Sequence, residues 1–369
     1  MTSIVKPFVS ICTPTFNRRP FIPYIIKCIE KQDYPKDKFE WIIIDDGTDK
    51  IKDLVSHLPY VKYYEYTTKM SLGEKRNLMH KKSKGEILVY MDDDDYYPVE
   101  RVSHAVETLM AHPDALCSGS SEIFIYFKHN NSVYKFGPYG PNHATAGTFA
   151  FKRKLLETSS YDDKAAIAEE KQFLKNYTVP FVQLDPYKTI LVFSHEHNTF
   201  DKRKLLENPH PDLVKKTDKP VDEFIKDDDM RNFYTNEIDI LLKDYEPGRP
   251  TMKPDVLTQI IEIEERRRKD AENRFQELAA KMGGKIVIQN KDGTSKEMSN
   301  DEILKLLREQ QANINTLVAE IKQRDEIISN LKAHSIRQNN IQDNIQDNIS
   351  LNIIEHDEKR LMTQINQIN

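Results

Sequence analysis

Short apolar runs alternate with amphipathic stretches over the first 112 residues. The runs at 8–12, 39–44, 61–66 and 87–91 are rich in β-branched and aromatic residues and are bounded by polar or turn residues, which predicts strands. Those at 39–44 and 87–91 are apolar almost throughout, as expected of parallel strands buried on both faces. Between the runs, Ile22, Ile25, Ile26 and Ile29 keep a helical period, and 54–58, 71–82 and 99–112 also read as helices. Strand and helix in alternation predict an α/β fold with a mostly parallel central sheet flanked by helices.

Three of these strands end in polar residues. The first runs into Thr13, Pro14, Thr15, Phe16, Asn17 and Arg18, the second into Asp45, Asp46, Gly47 and Thr48, and the fourth into four consecutive aspartates, Asp92, Asp93, Asp94 and Asp95. Ligands gather outside the carboxyl ends of strands in open α/β sheets, so the three clusters converge on one edge. Adjacent carboxylates repel, and the set needs a counter-charge, most simply a divalent cation shared with a phosphate. A solvated acidic loop is the alternative. No GxGxxG follows the first strand and no GxxxxGK[ST] occurs, which leaves phosphate to a metal and to side chains, with Lys75 and Arg76 as the basic candidates.

TPTFNR at 13–18, IIIDDGT at 42–48, LGEKRN at 72–77 and GEILVYMDDDDYYP at 85–98 resemble, in order and separation, the nucleotide-sugar half of the inverting family 2 glycosyltransferases, which have the GT-A fold. The resemblance implies that Thr13, Pro14, Thr15 and Arg18, with Asp45, line the nucleotide site. Asp46 would accept a hydrogen bond from the base, uracil in most relatives, and Arg76 would lie near base and phosphates. The D-x-D motif falls on Asp92, Asp93 and Asp94, so Asp92 would face ribose and metal and Asp94 would hold Mn²⁺ or Mg²⁺ on the diphosphate, with Asp95 supporting the loop. Since the middle position is itself aspartate, the ligand assignment is open by one place. The chemistry agrees: a metal held by carboxylates stabilises the negative charge that develops on a leaving diphosphate.

Beyond 112, strands at 115–117 and 123–128 lead into a Gly- and Pro-rich region in which the resemblance sets Gly147 and Thr148 near the donor. Ile167, Phe173 and Leu174 predict a helix over 165–177, with Glu169 and Glu170 near its start. Relatives carry Glu-Asp there, the second acid being the base that takes the acceptor's proton. Here the pair is Glu-Glu, which moves the second carboxylate by about 1.5 Å, and Glu170 is preferred to Glu169. Exposed first-turn acids are the alternative. A strand at 191–193 precedes His195 and His197, which would share one side of an extended chain. The resemblance makes either a candidate third metal ligand, and a hydrogen-bonding loop is the other reading.

From 205 to 254 the composition turns to Lys, Asp, Pro and Asn and reads as a charged linker with one helix at 232–243 and a solvated acidic run at 227–229. A charged helix over 255–282, a hairpin around Asp292 and Gly293, and a helix begun by a capping box at Ser299 and Glu302 follow. Leu307, Ile314, Ile321 and Ile328 lie seven apart, with Leu317 and Leu331 as partners, which predicts a coiled-coil seam. It would pair two copies in parallel or fold against the charged helix of the same chain. IQDN repeats at 341–348 open a low-complexity tail. The expected division is 1–205 for the glycosyltransferase-like domain, 206–254, 255–335 and 336–369.

A chain of 369 residues has room for two or three domains. Its net charge of -5 argues against a nucleic-acid binder, and its three scattered cysteines read as free thiols, neither a disulfide frame nor a zinc site. No leader or membrane span is visible, so a soluble, cytoplasmic protein is expected. The Asn, Ile and Lys bias suits an AT-rich genome such as that of a large DNA virus. The function expected is metal-dependent transfer of a sugar, with inversion, from a UDP-linked donor to a hydroxyl of a glycan, lipid or protein. The alternative is a degenerate domain serving as a scaffold that oligomerises through the coiled coil.

Overall fold

The computed structural model describes residues 6–282 except 168 and 208, and from the C-terminal part 286–289, 295–299 and scattered positions between 302 and 324. It divides into two units, 1–267 and 268–369. In the first, the alternation read from the sequence is present as β1 (Val9–Thr15), α1 (Ile22–Glu30), β2 (Phe39–Asp45), α2 (Lys52–Val55), β3 (Val61–Glu65), α3 (Leu72–Lys82), β4 (Ile87–Tyr90) and α4 (Arg101–Ala111). Every residue of β2 and β4 is buried, as their largely apolar character predicts, and the buried Glu40 of β2 is satisfied by the Ser10 hydroxyl and the Lys84 N–H. Ser71 caps α3 by accepting the Glu74 N–H.

The chain then adds β5 (Cys117–Gly119), β6 (Ile123–Phe127), β7 (Ser132–Phe136), β8 (Ala150–Lys152), α5 (Glu170–Phe173), β9 (Phe181–Gln183), β10 (Leu191–Ser194) and β11 (Val214–Lys216). One seven-stranded sheet has the order β3-β2-β1-β4-β8-β5-β9, and a four-stranded sheet has the order β10-β6-β7-β11. β3, β2, β1 and β4 run parallel, β8 is antiparallel to β4 and to β5, and β9 is parallel to β5. This is the mostly parallel, GT-A-like α/β architecture that the sequence predicted. The register aligns Thr15 with Asp45 and Cys12 with Tyr90, bringing the carboxyl ends of β1, β2 and β4 to one edge.

Strand alternation divides the core by sheet face. Ile11, Trp41, Ile43 and Val89 pack with α1 and α4, while Cys12, Ile42, Leu88 and Tyr90 pack with Tyr161 and Phe173. Cys12, Cys28 and Cys117 are free and buried, and burial pushes each thiol up, Cys28 to about 12.

Two expectations are corrected. The helix expected over 165–177 is a single turn, α5, because Lys175, Asn176 and Tyr177 take left-handed φ of 50°, 57° and 63° and reverse the chain. The stretch 206–254 is no solvated linker. It forms α6 (Val221–Phe224), α7 (Asp228–Asn232), a π turn (Phe233–Glu237) and α8 (Ile238–Lys243), and buries Met230, Phe233, Tyr234, Ile238 and Leu242. Phe233 stacks on Tyr24 with ring centroids 3.4 Å apart, and the Tyr234 hydroxyl donates to the Asp95 carbonyl at 2.8 Å. The acidic run is in part a cap: Asp227 accepts the Met230 N–H at 3.0 Å and pairs with Lys31.

α9 (Pro254–Met282) begins in the first unit. In the second, β12 (Ile286–Gln289) and β13 (Ser295–Met298) pair antiparallel as the expected hairpin, and Ser299 and Glu302 make the reciprocal bonds of a capping box. Asp292, Gly293, Leu307, Ile328 and Leu331 and the tail at 336–369 lie outside the described residues, while Ile314, Leu317 and Ile321 are helical and exposed. Among the described residues no helix is long and apolar enough to cross a membrane.

Tyr234→Phe removes one buried hydrogen bond and should cost about 1 kcal/mol. The check is the denaturant midpoint at unchanged slope; a solvated linker would leave it where it was.

Candidate active site

The ends of β1 and β4, the start of α3, the turn at 145–148 and the segment after β10 enclose a cavity of about 430 Å³. Its floor is the acidic loop. Asp92 to Asp95 all line it, and their repulsion is answered by the chain's own cations. Arg18 stands 3.7 Å from Asp93 and 3.4 Å from Asp94, and Arg76 Nη2 is 3.9 Å from Asp92. Although burial works against it, the His195 contact and Arg18 hold the Asp94 carboxyl well below the usual range. Burial and the Asp94 charge push Asp93 up to about 7. Asp95 is raised for the same two reasons and accepts the Phe193 N–H at 3.1 Å, the supporting role expected of it.

Arg18 is aimed by Asn17, which takes φ 53°, a conformation that asparagine tolerates. Asn17 Oδ1 accepts the N–H groups of Thr48 and Asp49 at 2.7 and 2.9 Å, tying the ends of β1 and β2 together. Arg76 is fully buried over the Tyr90 ring, 4.4 Å from its centroid, and donates from Nε to Glu169 at 2.8 Å. Buried polar atoms of the cavity lining with no hydrogen-bond partner among the described residues include Arg76 Nη1, Asp92 Oδ1 and Asp93 Oδ2. A Cβ on Gly147 would stand 2.8 Å from Asp92 Oδ2, so glycine keeps this part of the floor open.

The other expected residues divide. Pro14, Arg18, Arg76, Asp92, Asp93 and Asp94 line the cavity. Thr13 does not: its hydroxyl donates to the Met91 carbonyl and accepts Trp41 Nε1, which splices β1 to β4 and β2. Thr15 is buried with its hydroxyl unpartnered among the described residues. Asp45 turns away from the cavity, accepting the N–H groups of Gly47 and Ile51 and the Tyr63 hydroxyl. Asp46 is held by Lys75 at 2.7 Å and the Met70 N–H at 2.6 Å. Lys75 therefore answers a carboxylate within the protein, contrary to the phosphate-binding reading of it.

His195 and His197 do not act together. The chain turns there, with the Asn198 N–H donating back to the His195 carbonyl at 3.1 Å, so the two-residue alternation of a strand does not apply. His197 lies against Tyr245, 6.1 Å between ring centroids, and is withdrawn from the metal set. His195 Nε2 is 3.3 Å from Asp94 Oδ2, and burial lowers its imidazole to about 3, which leaves it neutral, the form that binds metals. Among the described residues no three His, Cys, Asp or Glu side chains are grouped to hold a metal alone. Asp94 and Asp92 Oδ1, which has no hydrogen-bond partner among the described residues, are the cavity oxygens that fit a cation whose other positions come from phosphate oxygens and water, while His195 Nε2, which faces the Asn198 amide at 2.8 Å, stands behind Asp94.

Of the paired acids, Glu169 lines the cavity and is committed to Arg76. Glu170 lies behind it against the Ala146 backbone, its carboxyl pushed up to about 7 by burial and by Glu169. Sequence reasoning missed Phe16, Lys69, Lys202 and Lys253, all of which line the cavity, and Arg101, whose buried Nη2 clamps the carbonyls of Tyr90, Thr148 and Phe149. Phe16 lies inside a quoted motif, but nothing in the sequence around Lys253 marks it.

Residues 10–166 match the family model described as glycosyl transferase family 2. This stretch is a family 2 glycosyltransferase domain. The matched stretch stops short of Glu169, Glu170, His195 and Lys253. Similar proteins include the poly(ribitol-phosphate) beta-N-acetylglucosaminyltransferase TarS of Staphylococcus aureus, 28% identical over 116 residues, or 28% of this chain and 19% of that protein. Another is the GalNAc(5)-diNAcBac-PP-undecaprenol beta-1,3-glucosyltransferase of Campylobacter jejuni, 34% identical over 181 residues, or 43% of this chain and 56% of that one. The family 2 domain thus aligns with a fifth to about half of the length of these relatives. Among solved structures, S. aureus TarS 1–349 with UDP-GlcNAc is similar at 17% identity and TM-score 0.43, covering 79% of this chain and 97% of that one. The mannosyltransferase PcManGT of Pyrobaculum calidifontis with GDP-Man and Mn²⁺ reaches TM-score 0.42 at 17% identity, covering 56% and 66%.

Arg76→Met leaves Glu169 buried without its counter-ion and should destabilise by about 3–5 kcal/mol. Adding Glu169→Leu should recover most of that loss in equilibrium denaturation, and a double variant whose loss equals the sum of the Arg76→Met and Glu169→Leu losses would show the two side chains to be uncoupled.

Proposed function

We propose that the cavity binds a nucleotide-diphosphate sugar, UDP-linked, and that the protein transfers the sugar with inversion to a hydroxyl of a glycan, lipid or protein acceptor. The observation that carries this reading is the meeting, in one cavity of a family 2 domain, of an unpartnered Arg76 N–H and an unpartnered Asp92 oxygen with Asp94, which His195 backs from outside the cavity lining. The TarS and C. jejuni relatives, by name a beta-N-acetylglucosaminyltransferase and a beta-1,3-glucosyltransferase, support a donor of that sugar class.

Asp94 and Asp92, with His195 behind Asp94, would hold Mn²⁺ or Mg²⁺, which when bound supplies Lewis-acid charge to the leaving diphosphate. Arg76, held by Glu169 and the Tyr90 ring, offers its free N–H to the donor, and Arg18 keeps Asp93 and Asp94 in place. The acceptor oxygen attacks the anomeric carbon on the face opposite the diphosphate. Its proton passes to a carboxylate, the new C–O bond forms, and the electron pair of the breaking C–O bond leaves on the diphosphate. Glu170 is that base: Glu169 is committed to Arg76, whereas the Glu170 carboxyl at about 7 is poised for proton transfer at neutral pH.

The deciding experiment follows UDP release from UDP-glucose and UDP-N-acetylglucosamine, with Mn²⁺ and after chelation. Release that stops on chelation and returns with Mn²⁺ is expected, and donor binding without release under any condition would favour the scaffold. Glu170→Gln should lower kcat by about 10²–10⁴ with donor affinity unchanged. Because a base must be unprotonated, wild-type kcat/KM should fall below a pH of about 7, and Glu170→Gln should lack that limb. Full activity in Glu170→Gln would move the base to Glu169.

A further inference from the structure

The cavity is closed by a segment well beyond the family-matched stretch. Residues 245–256 lie across the end of β1, fastened by Tyr245 to Asp49 at 2.8 Å, by Asn17 Nδ2 to the Pro247 carbonyl at 2.8 Å, and by Lys69 to Asp255 at 2.6 Å. Gly248 is what lets the segment lie this close, since a Cβ there would be 2.7 Å from His197 Nδ1 and 2.8 Å from the Asn17 carbonyl.

Three ammonium groups surround Phe16 on the cavity wall, those of Lys69, Lys75 and Lys253, at 5.4, 5.7 and 5.9 Å from its ring centroid. Two of them are answered by carboxylates, Lys69 by Asp255 and Lys75 by Asp46. Lys253 is not. It is nine-tenths buried, lines the cavity and donates to Thr199 Oγ1 at 3.0 Å, and among the described residues it has no carboxylate within ion-pair distance. Burial, Arg18 and Lys75 together depress its ammonium well below the usual range. A buried cation without a counter-ion costs stability and persists where an anion arrives to meet it.

We infer that Lys253 binds a phosphoryl oxygen of the donor diphosphate, so that the site of the family 2 domain is completed from the 245–256 segment. This rests on the nucleotide-sugar reading above and adds to it a residue and a role. A lysine ammonium suits phosphate as a point charge with three donors, and Lys253 shares the cavity with Arg18, Asp93 and Asp94, where a diphosphate and its cation would lie.

The test is calorimetric binding of uridine, UMP and UDP to the full chain with Mn²⁺, for wild type, Lys253→Met and Lys253→Arg. Lys253→Met should weaken UDP by about 10- to 100-fold and leave uridine unchanged, with Lys253→Arg retaining most of the UDP affinity. The melting temperature of ligand-free Lys253→Met should hold or rise, as expected when an unpaired buried charge is removed. Unchanged UDP affinity in Lys253→Met, or equal losses for UDP and uridine, would overturn the inference. Wild-type protein that binds none of the three uridine ligands would instead remove the donor reading itself.

Discussion

Four carboxylates at the end of a buried strand set the terms for the rest of the molecule. Charges this close interact strongly in a low-dielectric interior, and the loop is tolerated only where cations reach it. They come from widely separated places: Arg18 from the end of β1, Arg76 from α3, Lys202 from the segment after β10, and Lys253 from just before α9. Tyr234 adds a hydroxyl to the backbone of the same loop from the π turn. Much of what lies outside the parallel strands can be understood as the means of delivering these groups.

Arg76 joins the two halves of the site. One nitrogen holds Glu169, another faces Asp92, and the third has no partner among the described residues. The tether on Glu169 fixes a turn of only four residues, α5, whose other anchor is Phe173 stacked on Tyr161 with ring centroids 4.3 Å apart. Whatever moves the guanidinium therefore also moves Glu169 and the short turn that carries Glu170.

The sequence disclosed what periodicity and strand ends can carry. β1, β2, β3 and β4 were visible as apolar runs, and the edge they share followed from the topology of parallel sheets. What each polar residue does at that edge was not visible. Thr13 and Asp45 sit at the strand ends, as motif-bearing residues do, yet their partners, Trp41, Met91, Tyr63 and the 47–51 turn, consume them as splices between strands. The pairing of His195 with His197 assumed an extended chain where there is a turn. In 206–254 the helix at 232–243 was legible, but dense charge on its outer face concealed that Met230, Phe233, Tyr234, Ile238 and Leu242 pack into the core. Lys253 could not be found at all, since its meaning depends on which side chains surround it and on which carboxylate is absent.

The fastening of Asn17 to Pro247 and of Arg18 to Gly248 joins residues 230 apart in the chain. During synthesis the parallel strands β3, β2, β1 and β4 can associate once the first 90 or so residues have left the ribosome, because every partner in their pairings lies within that stretch. The acidic loop exists from that moment, but its last cation and the cover over β1 emerge more than 150 residues later. The nascent domain must therefore pass through a period in which its most highly charged loop is formed and incompletely neutralised. Such an intermediate would be opened by low ionic strength, where the carboxylates repel over a longer distance, and closed as salt is raised.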